Sequence, residues 1–560
     1  MGGLNMDYTV LVGGEAGQGM DTFANLLGKI LKRAGFHVFS KSDYMSRVRG
    51  GHNFIQIRFS NKPIYAHTEK VDIVFALNEE TVEQHLTRLK ENGIVITDEG
   101  IGKDKDLFHL PLLETAKALR NSRVYTTIGL GAILKYYGLP LEIGEEVIRE
   151  GFNEKLYKVN INALRAGYGM VDSEYSLPTL EDKHILINGN QAVGLGAIAA
   201  GCKFYCGYPM TPSTGVLNYI AAHANEMGIA VDQVEDEVAA LNMALGASYA
   251  GVRAMTGSSG GGFALMVEAL SLAGIIEVPV VVINVQRPGP ATGFPTRTEQ
   301  ADLRFIIHAG HGEFPRMVIA LRDQEDAFYQ TARAFNIAEK YQIPVLLMSD
   351  QYLADSTTTR EPFDFSKIKI ERRISGEEGV LDQEYKRYKF TEDGISPRIL
   401  PGKIPGQVVL VDSDEHDEWG NITESDEIRI KMVNKRMKKF EGLKEEVEEP
   451  WLLGDEKPEN LIVSWGSTYG PVREAVEKLI EEGISIGALV FGDIWPLPTK
   501  KLMEISKFAK RIIDVEQNAT AQLDSLIREE LLIKSTDKIL KYDGRPFSGD
   551  ELYTRLKEVL

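Results

Sequence analysis

Several short stretches of this chain combine polar and conformationally permissive residues in ways that could support chemistry. Asp236 and Glu237 follow the expected strand 230–234 and precede 238–247, a helix-forming run of small residues. At a first helical turn such carboxylates complement the partial positive charge of the free N–H groups. Upstream, Gly207-Tyr208-Pro209-Met210-Thr211-Pro212-Ser213 reads as a rigid, proline-framed turn ahead of a helix, with Thr211 or Ser213 as its cap. Gly257-Ser258-Ser259-Gly260-Gly261-Gly262 is a glycine-rich turn, and the loop from Arg287 to Leu303 follows an unbroken apolar run. Loops at the carboxyl ends of strands are where α/β sheets hold ligands. Near the N-terminus, Gly13-Gly14-Glu15-Ala16-Gly17-Gln18-Gly19 joins a strand to a helix. Its spacing is not G-x-G-x-x-G, so a plain tight turn and an anion or cofactor contact stand as equal readings. Asp412 to Gly420 is rich in carboxylates around His416. It reads as a surface acidic loop in preference to a hard-cation site, because the spacing is not that of an EF-hand. Cys202 and Cys206 read as buried thiols flanking a turn, and no metal ligands are assigned.

The elements that must position these residues are α/β throughout. Tyr8 to Val12 forms a short strand, and Phe23, Leu26, Leu27, Ile30 and Leu31 then recur at helical spacing. Further strands are expected at 55–57, 71–76 and 94–97, and a polar linker at 172–182. Apolar runs at 278–285 and 343–348 suit parallel strands buried on both faces. The stretch 361–406 is charged and punctuated by prolines, and 426–448 reads as an amphipathic, solvated helix. A last unit starts at 460–466, has a helix from 471 to 482 and strands at 486–490 and 511–515, and ends with a helix near 522–532. The expected organisation is three α/β domains in series: 1–175, 183–355 and 456–560, with a connector at 356–455.

Composition narrows the function classes. At about 100–200 residues per domain, 560 residues allow about three to five domains and exclude a single small module. Apolar residues make up 43% and charged residues 26%, as expected for a globular chain with large cores. With 63 Lys and Arg against 81 Asp and Glu the net charge is −18, which opposes binding to nucleic acid and to anionic membrane surfaces. Two cysteines exclude a secreted disulfide framework, and no secretory leader or membrane-spanning run is evident, so a cytoplasmic location is expected. Two cysteines also fall short of the four thiolates that an iron–sulfur cluster needs.

Taken together, Y-P-M-T-P, V-E-D-E-V-A-A-L-N-M-A, G-S-S-G-G-G-F and R-P-G-P-A-T-G-F-P-T-R-T-E-Q-A-D-L resemble the α subunit of 2-oxoacid:ferredoxin oxidoreductases. The N-terminal unit, with its A-G-Q-G turn and Ser46-Arg47-Val48-Arg49-Gly50-Gly51, resembles the γ subunit of the same enzymes fused ahead of α, with Ala16 where the family's G-x-G-G-Q-G has glycine. Trp465-Gly466-Ser467 and Glu516-Gln517-Asn518-Ala519-Thr520 make the last unit similar to the family's transketolase-C-like domain.

The resemblance implies a γ-type domain, a pyrimidine-binding domain of the thiamine diphosphate enzymes and a transketolase-C-like domain, in that order. It implies that Glu237 bonds a ring nitrogen of the thiamine aminopyrimidine, that Thr211 contacts the carboxylate or ketone of a 2-oxoacid, and that Arg297 pairs with a substrate carboxylate, as a planar, permanently charged guanidinium can. Tyr208, Pro209, Ser258 and Ser259 are expected at the cofactor. No G-D-G motif occurs, so this chain supplies half a thiamine site. The implied β subunit carries the diphosphate half, Mg²⁺ and a [4Fe-4S] cluster, in a heterodimer or a dimer of heterodimers. The implied reaction is oxidative decarboxylation of a 2-oxoacid to an acyl-coenzyme A and CO₂ with electrons passed to ferredoxin, reversible in principle. The fused arrangement leans to 2-oxoglutarate; pyruvate, branched-chain 2-oxoacids or indolepyruvate are the alternatives, with a non-catalytic dinucleotide-binding subunit behind them.

Overall fold

A computed structural model describes residues 6–46, 51–102, 107–375 and 384–560. Arg47, Val48, Arg49 and Gly50 of the expected N-terminal motif therefore lie outside the described residues. The chain divides into two compact units: Met1–Asn188 with Asp355–Phe363 and Ser548–Leu552, and Gly189–Ala354 with Asp364–Phe547 and Tyr553–Leu560. Among the described residues, no helix is long and apolar enough to cross a membrane.

The first unit is built on one mixed sheet of eight strands. Its central strand, Asp7–Gly14, runs parallel to Val71–Ala76 and antiparallel to Asn53–Ser60, with Val10 opposite both Ile73 and Ile57. The strand His37–Asp43 pairs beyond Asn53–Ser60, then Thr357–Arg360, then Ile185–Asn188 at the edge. The start of the expected connector is thus a strand of this sheet. The helix Met20–Arg33 buries Phe23, Leu27, Ile30 and Leu31 against it, the stripe that its periodicity predicts. Gly131 and Gly167 let the helices Tyr125–Tyr136 and Glu154–Tyr168 cross with backbones in contact, since a Cβ at either position would strike a carbonyl of the facing helix. The expected linker at 172–182 has no regular structure.

The second unit holds two sheets. Seven strands run in the order Asp493–Trp495, Met317–Ala320, Pro344–Asp350, Val280–Gln286, Arg253–Ser258, Cys202–Gly207 and Ala230–Gln233, all parallel except the first pairing. Every residue of Val280–Gln286 and of Pro344–Asp350 is buried, as their mainly apolar composition leads one to expect. A second sheet of five strands contains Asn460–Trp465, Ile486–Phe491 and Arg511–Glu516 in parallel. Both sheets drain into one core, in which Leu241, Phe263, Val282 and Leu346 lie with Trp465, Phe491 and Leu523. The described residues thus hold three α/β sheets, the last two in one compact unit with a shared core.

Four expectations need correction. Cys202 and Cys206 flank no turn; both are buried on one strand, and burial pushes each thiol up to about 12, so neither is a ready thiolate. The chain does not end on the helix Gln522–Leu531, because the strand Asp537–Leu540 and the helix Gly549–Val559 follow. The helix Asp426–Glu446 is not solvated all along its charged face: Lys435 and Lys439 are buried and close on Glu277 at 2.6 and 2.5 Å. The acidic loop is not free at the surface either. Glu415 is paired with Arg429 and Arg436, Glu418 with Lys386 at 2.9 Å, and His416 is fully buried against the Tyr388 ring.

Candidate active site

The carboxyl ends of Cys202–Gly207, Arg253–Ser258 and Val280–Gln286 carry the three loops singled out by sequence, and contacts tie those loops together. The helix Glu237–Tyr249 starts beside them. Asp236 is its cap, accepting from the Ala239 N–H at 2.8 Å, which leaves Glu237 free of capping duty. The Glu237 side chain is buried and accepts one hydrogen bond, from Ser258 Oγ to Oε1 at 3.1 Å. The adjacent backbone is kept bare: a Cβ on Gly262 would collide with both Glu237 Oε1 and Ser258 Oγ.

Around this floor several buried polar atoms lack a partner among the described residues. Ser259 Oγ, Thr256 Oγ1 and Asn284 Oδ1 are buried without a hydrogen bond. Asn284 spends its Nδ2 on Asp302 Oδ2 at 2.9 Å, and the Asp302 carboxylate lies where a Cβ on Gly260 would be. Burial holds the Asp302 carboxyl above its ordinary value, and burial, with Asp302 adding, pushes Glu299 up to about 7. Buried polar atoms are almost always satisfied, so orphans grouped at a strand-end crevice mark space for a polar ligand.

The rim differs from the floor. Tyr208, Pro209 and Thr211 are exposed, and neither Thr211 nor Ser213 caps the helix Thr214–Met227, because the Ser213 hydroxyl donates back to Met210 O at 2.9 Å. Arg287 is not a solvated surface charge: its Nη1 donates to Thr211 O at 2.6 Å, and burial lowers the pKa of its guanidinium from the ordinary arginine value. That bond joins the loop at 287–302 to the Tyr-Pro turn. Asp302 joins the loop's far end to Gly260. Arg297 lies between them, on a turn in which its N–H bonds Phe294 O at 3.0 Å, with its side-chain stem against Gly544.

The structure therefore brings Thr211, Glu237, Ser258 and Ser259 to one edge, with Tyr208 and Pro209 on its rim. It seats the Arg297 stem against Gly544. Sequence reading missed Asn284, Asp302 and Gln300, although the E-Q-A-D stretch that carries two of them was on view.

A second concavity belongs to the first unit. A cavity of about 720 Å³ is lined by Gly17, Gln18, Gly19, Asp98, Arg123 and Tyr125 among others. Gly17 and Gly19 both sit at φ +89, in the left-handed region that favours glycine, whereas exposed Ala16 carries its methyl without a positive φ. Gln18 closes the turn by accepting from the Glu15 N–H at 2.6 Å, and the Tyr125 hydroxyl donates to Gln18 O at 2.9 Å.

Comparison with known proteins agrees with this layout. The model described as "Pyruvate flavodoxin/ferredoxin oxidoreductase, thiamine diP-bdg" matches residues 195–435. "Pyruvate ferredoxin/flavodoxin oxidoreductase" matches 9–170, and "Pyruvate:ferredoxin oxidoreductase core domain II" matches 458–548. The fold and the crevice thus define the thiamine-binding part of an oxidoreductase. A 2-oxoacid:ferredoxin oxidoreductase subunit alpha from Sulfolobus sp. is 36% identical, over 99% of this chain and 97% of that protein. A 2-oxoglutarate oxidoreductase subunit KorA from Mycobacterium tuberculosis is 27% identical over 96% and 89%. Among solved structures, the 2-oxoglutarate:ferredoxin oxidoreductase from Magnetococcus marinus with 2-oxoglutarate, coenzyme A and succinyl-CoA bound is 33% identical, covers 99% of each chain and has a TM-score of 0.91. This chain belongs to the α subunits of the 2-oxoacid:ferredoxin oxidoreductases, enzymes that use thiamine diphosphate and coenzyme A.

One prediction follows from the cradle alone. Gly262→Ala should lower kcat of the assembled enzyme by about a hundredfold, because a displacement of the order of 1 Å at a reacting group costs about that much. Steady-state kinetics alongside an unchanged far-ultraviolet circular dichroism spectrum would check it.

Proposed function

We propose that this chain, with its N-terminal γ-type unit, catalyses coenzyme A-dependent oxidative decarboxylation of 2-oxoglutarate together with a β partner. One 2-oxoglutarate, one coenzyme A and two oxidised ferredoxins give succinyl-coenzyme A, CO₂, two reduced ferredoxins and one proton. The observation that carries the reading is the buried Glu237 carboxylate with a single hydrogen bond, among orphaned Ser259 and Asn284 atoms and a glycine wall. That set fits an aminopyrimidine ring, which presents ring nitrogens and an exocyclic amine to a carboxylate and hydroxyls. When bound, thiamine diphosphate supplies the nucleophilic carbon for the 2-oxo group and an electron sink for the carboxylate bond.

The chain's own residues do the rest. Glu237 holds a ring nitrogen and governs its protonation. Ser258 fixes the Glu237 carboxylate, and Ser259 donates to the ring. Tyr208 and Pro209 close the rim beside it. Thr211 binds the carboxylate or ketone of the 2-oxoacid, and Arg297 pairs with a substrate carboxylate. Preference for 2-oxoglutarate is supported by the ligands named in the Magnetococcus structure and by the Mycobacterium relative's name.

The diphosphate half-site, Mg²⁺ and the [4Fe-4S] cluster are assigned to the partner, since this chain has no G-D-G and its two cysteines are buried on one strand. Tyr208, Val238, Met243, Leu265 and Phe294 leave large apolar side chains exposed in and around the loops of the half-site, which supports a covering chain there. The coenzyme A nucleotide is assigned to the cavity of the first unit, where the glycine turn presents N–H groups ahead of a helix and Arg123 adds a cation.

The test is co-expression with a β partner and a substrate panel of 2-oxoglutarate, pyruvate, branched-chain 2-oxoacids and indolepyruvate, reading ferredoxin or viologen reduction. The expected result is the highest kcat/KM with 2-oxoglutarate. Arg297→Ala should raise its KM by about 10- to 100-fold, from loss of a charge-assisted pair, and leave the KM for coenzyme A unchanged. A flat panel, or one led by pyruvate, would sink the 2-oxoglutarate assignment.

A further inference from the structure

The loop that carries Arg297 is fastened to a part of the protein that has no role in the proposed chemistry. Gln300 is fully buried, and all four of its hydrogen-bonding groups are bonded across to the five-strand sheet. Its backbone N–H donates to Gln517 O at 2.7 Å, and its side-chain Oε1 accepts from the Gln517 N–H at 3.1 Å. Its Nε2 donates to Trp465 O at 2.8 Å, and its carbonyl accepts from Asn518 Nδ2 at 3.1 Å. An amide side chain here imitates a strand neighbour, with both its nitrogen and its oxygen bonded.

The partners are themselves held from behind. Glu516 accepts from Trp465 Nε1 at 2.9 Å and Asn518 Nδ2 at 2.7 Å through one oxygen, and from the Leu523 N–H at 2.8 Å through the other. On either side of Gln300 the loop is stitched again. Thr298 Oγ1 donates to Asp350 Oδ1 and accepts from the Tyr352 N–H, each at 3.2 Å, and Ala301 O accepts from Gln522 Nε2 at 2.7 Å. Gly544, from the same part of the chain, abuts the Arg297 stem.

We infer that the five-strand layer is the mount that sets the position of Arg297, and that Gln300 is the positioning residue through which it acts. The inference rests on the reading of Arg297 as a binder of the substrate carboxylate. A buried Gln whose amide nitrogen and oxygen are both bonded, along with its backbone N–H and carbonyl, admits one orientation, and the residues three positions away inherit it. The layer contributes no side chain to the reaction itself.

The test uses the holoenzyme with its β partner and four forms: wild type, Gln300→Ala, Arg297→Ala and the double variant. Asn518→Ala, which removes one clamp bond from the far side, guards against a Gln300 variant that fails to fold. For Gln300→Ala the expected result is a KM for the 2-oxoacid raised about tenfold, kcat within about twofold, an unchanged KM for coenzyme A, and faster hydrogen exchange confined to 291–301. Asn518→Ala should move the same KM in the same direction by a smaller factor. In the Arg297→Ala background, Gln300→Ala should add nothing further. Additive effects in the double variant, or wild-type KM and exchange in both clamp variants while Arg297→Ala is defective, would overturn the clamp alone. A wild-type KM in Arg297→Ala would instead overturn the Arg297 reading and, with it, any action of Gln300 through that residue.

Discussion

Replacing Glu237 by alanine is expected to lower kcat of the assembled enzyme by about a hundred- to ten-thousandfold, the range in which a positioned acid–base group contributes. The geometry leads to that size of effect. Glu237 stands first in its helix with its carboxylate turned inward, and Ser258 Oγ is its one hydrogen-bond partner among the described residues. A buried carboxylate with one hydrogen bond is costly to keep unless a ligand completes its shell. Glu237→Gln keeps the shape and the bond from Ser258 but loses the charge, so it should fall nearly as far as the alanine variant. Ser258→Ala removes only a support and should stay within about tenfold, the worth of one ordinary hydrogen bond. Kinetics and calorimetric titration of thiamine diphosphate into the complex would check all three. Activity of Glu237→Ala within tenfold of wild type would remove the residue from the mechanism. Because the helix is capped by Asp236, the alanine variant should remain folded.

The second large effect is on stability. Glu277→Ala is expected to destabilise the second unit by about 3–5 kcal/mol, the cost of leaving buried charge without its counter-charge. Glu277 is fully buried, with Lys435 Nζ at 2.6 Å on one oxygen and Lys439 Nζ at 2.5 Å on the other. Arg387 donates to the Glu277 carbonyl at 2.6 Å. Removing the carboxylate strands the Lys435 and Lys439 ammonium groups in the core, while Arg387 keeps its backbone carbonyl. Burial by itself would push the Glu277 carboxyl up, but the attraction of Lys435, Lys439 and Arg387 outweighs it and holds the group well below the ordinary glutamate value.

A depressed carboxyl contributes stability that is fully present above the unfolded value of about 4.3. That contribution is lost as pH falls through the folded value. Wild type should therefore lose urea resistance steadily below pH of about 4, and Glu277→Ala should show a flatter profile over the same window. A triple replacement, Glu277 by leucine with Lys435 and Lys439 by methionine, should recover most of the loss, since apolar groups of similar volume replace buried ion pairs at little cost. Urea midpoints across pH would decide; a Glu277→Ala midpoint equal to that of wild type would show that the cations re-solvate without cost.

Much of the fold was legible because it depends on local apolar patterning. Val280–Gln286 and Pro344–Asp350 announce themselves through their apolar cores, Val280 to Ile283 and Val345 to Met348, and the stripe of Met20–Arg33 as a helical period. The strand Cys202–Gly207 was harder, since Lys203 and two glycines at its ends interrupt the pattern, and its cysteines looked like turn residues. At the site, Glu237 and the glycine wall were readable from their place at strand ends. The roles of Arg287 and Gln300 were not: Arg287 bonds Thr211, 76 residues away, and Gln300 bonds Trp465, 165 residues away.

By itself the sequence determined the α/β class and the family, and it led to the proposals of a half-site at the start of the helix at Glu237 and of a partner for cluster chemistry. Each follows from short-range order: periodicity, glycine and proline spacing, motif order and a count of two cysteines. Only the tertiary structure decided which charges are buried and which loop is held by what. Lys435 and Lys439 look like solvent-facing residues of a charged helix until Glu277, 158 positions upstream of Lys435, is brought against them. Apolar burial is encoded in each element's own pattern, because water is excluded from a face whatever covers it. A polar group's fate depends on one particular partner, and nothing in local spacing names a partner more than a hundred residues away.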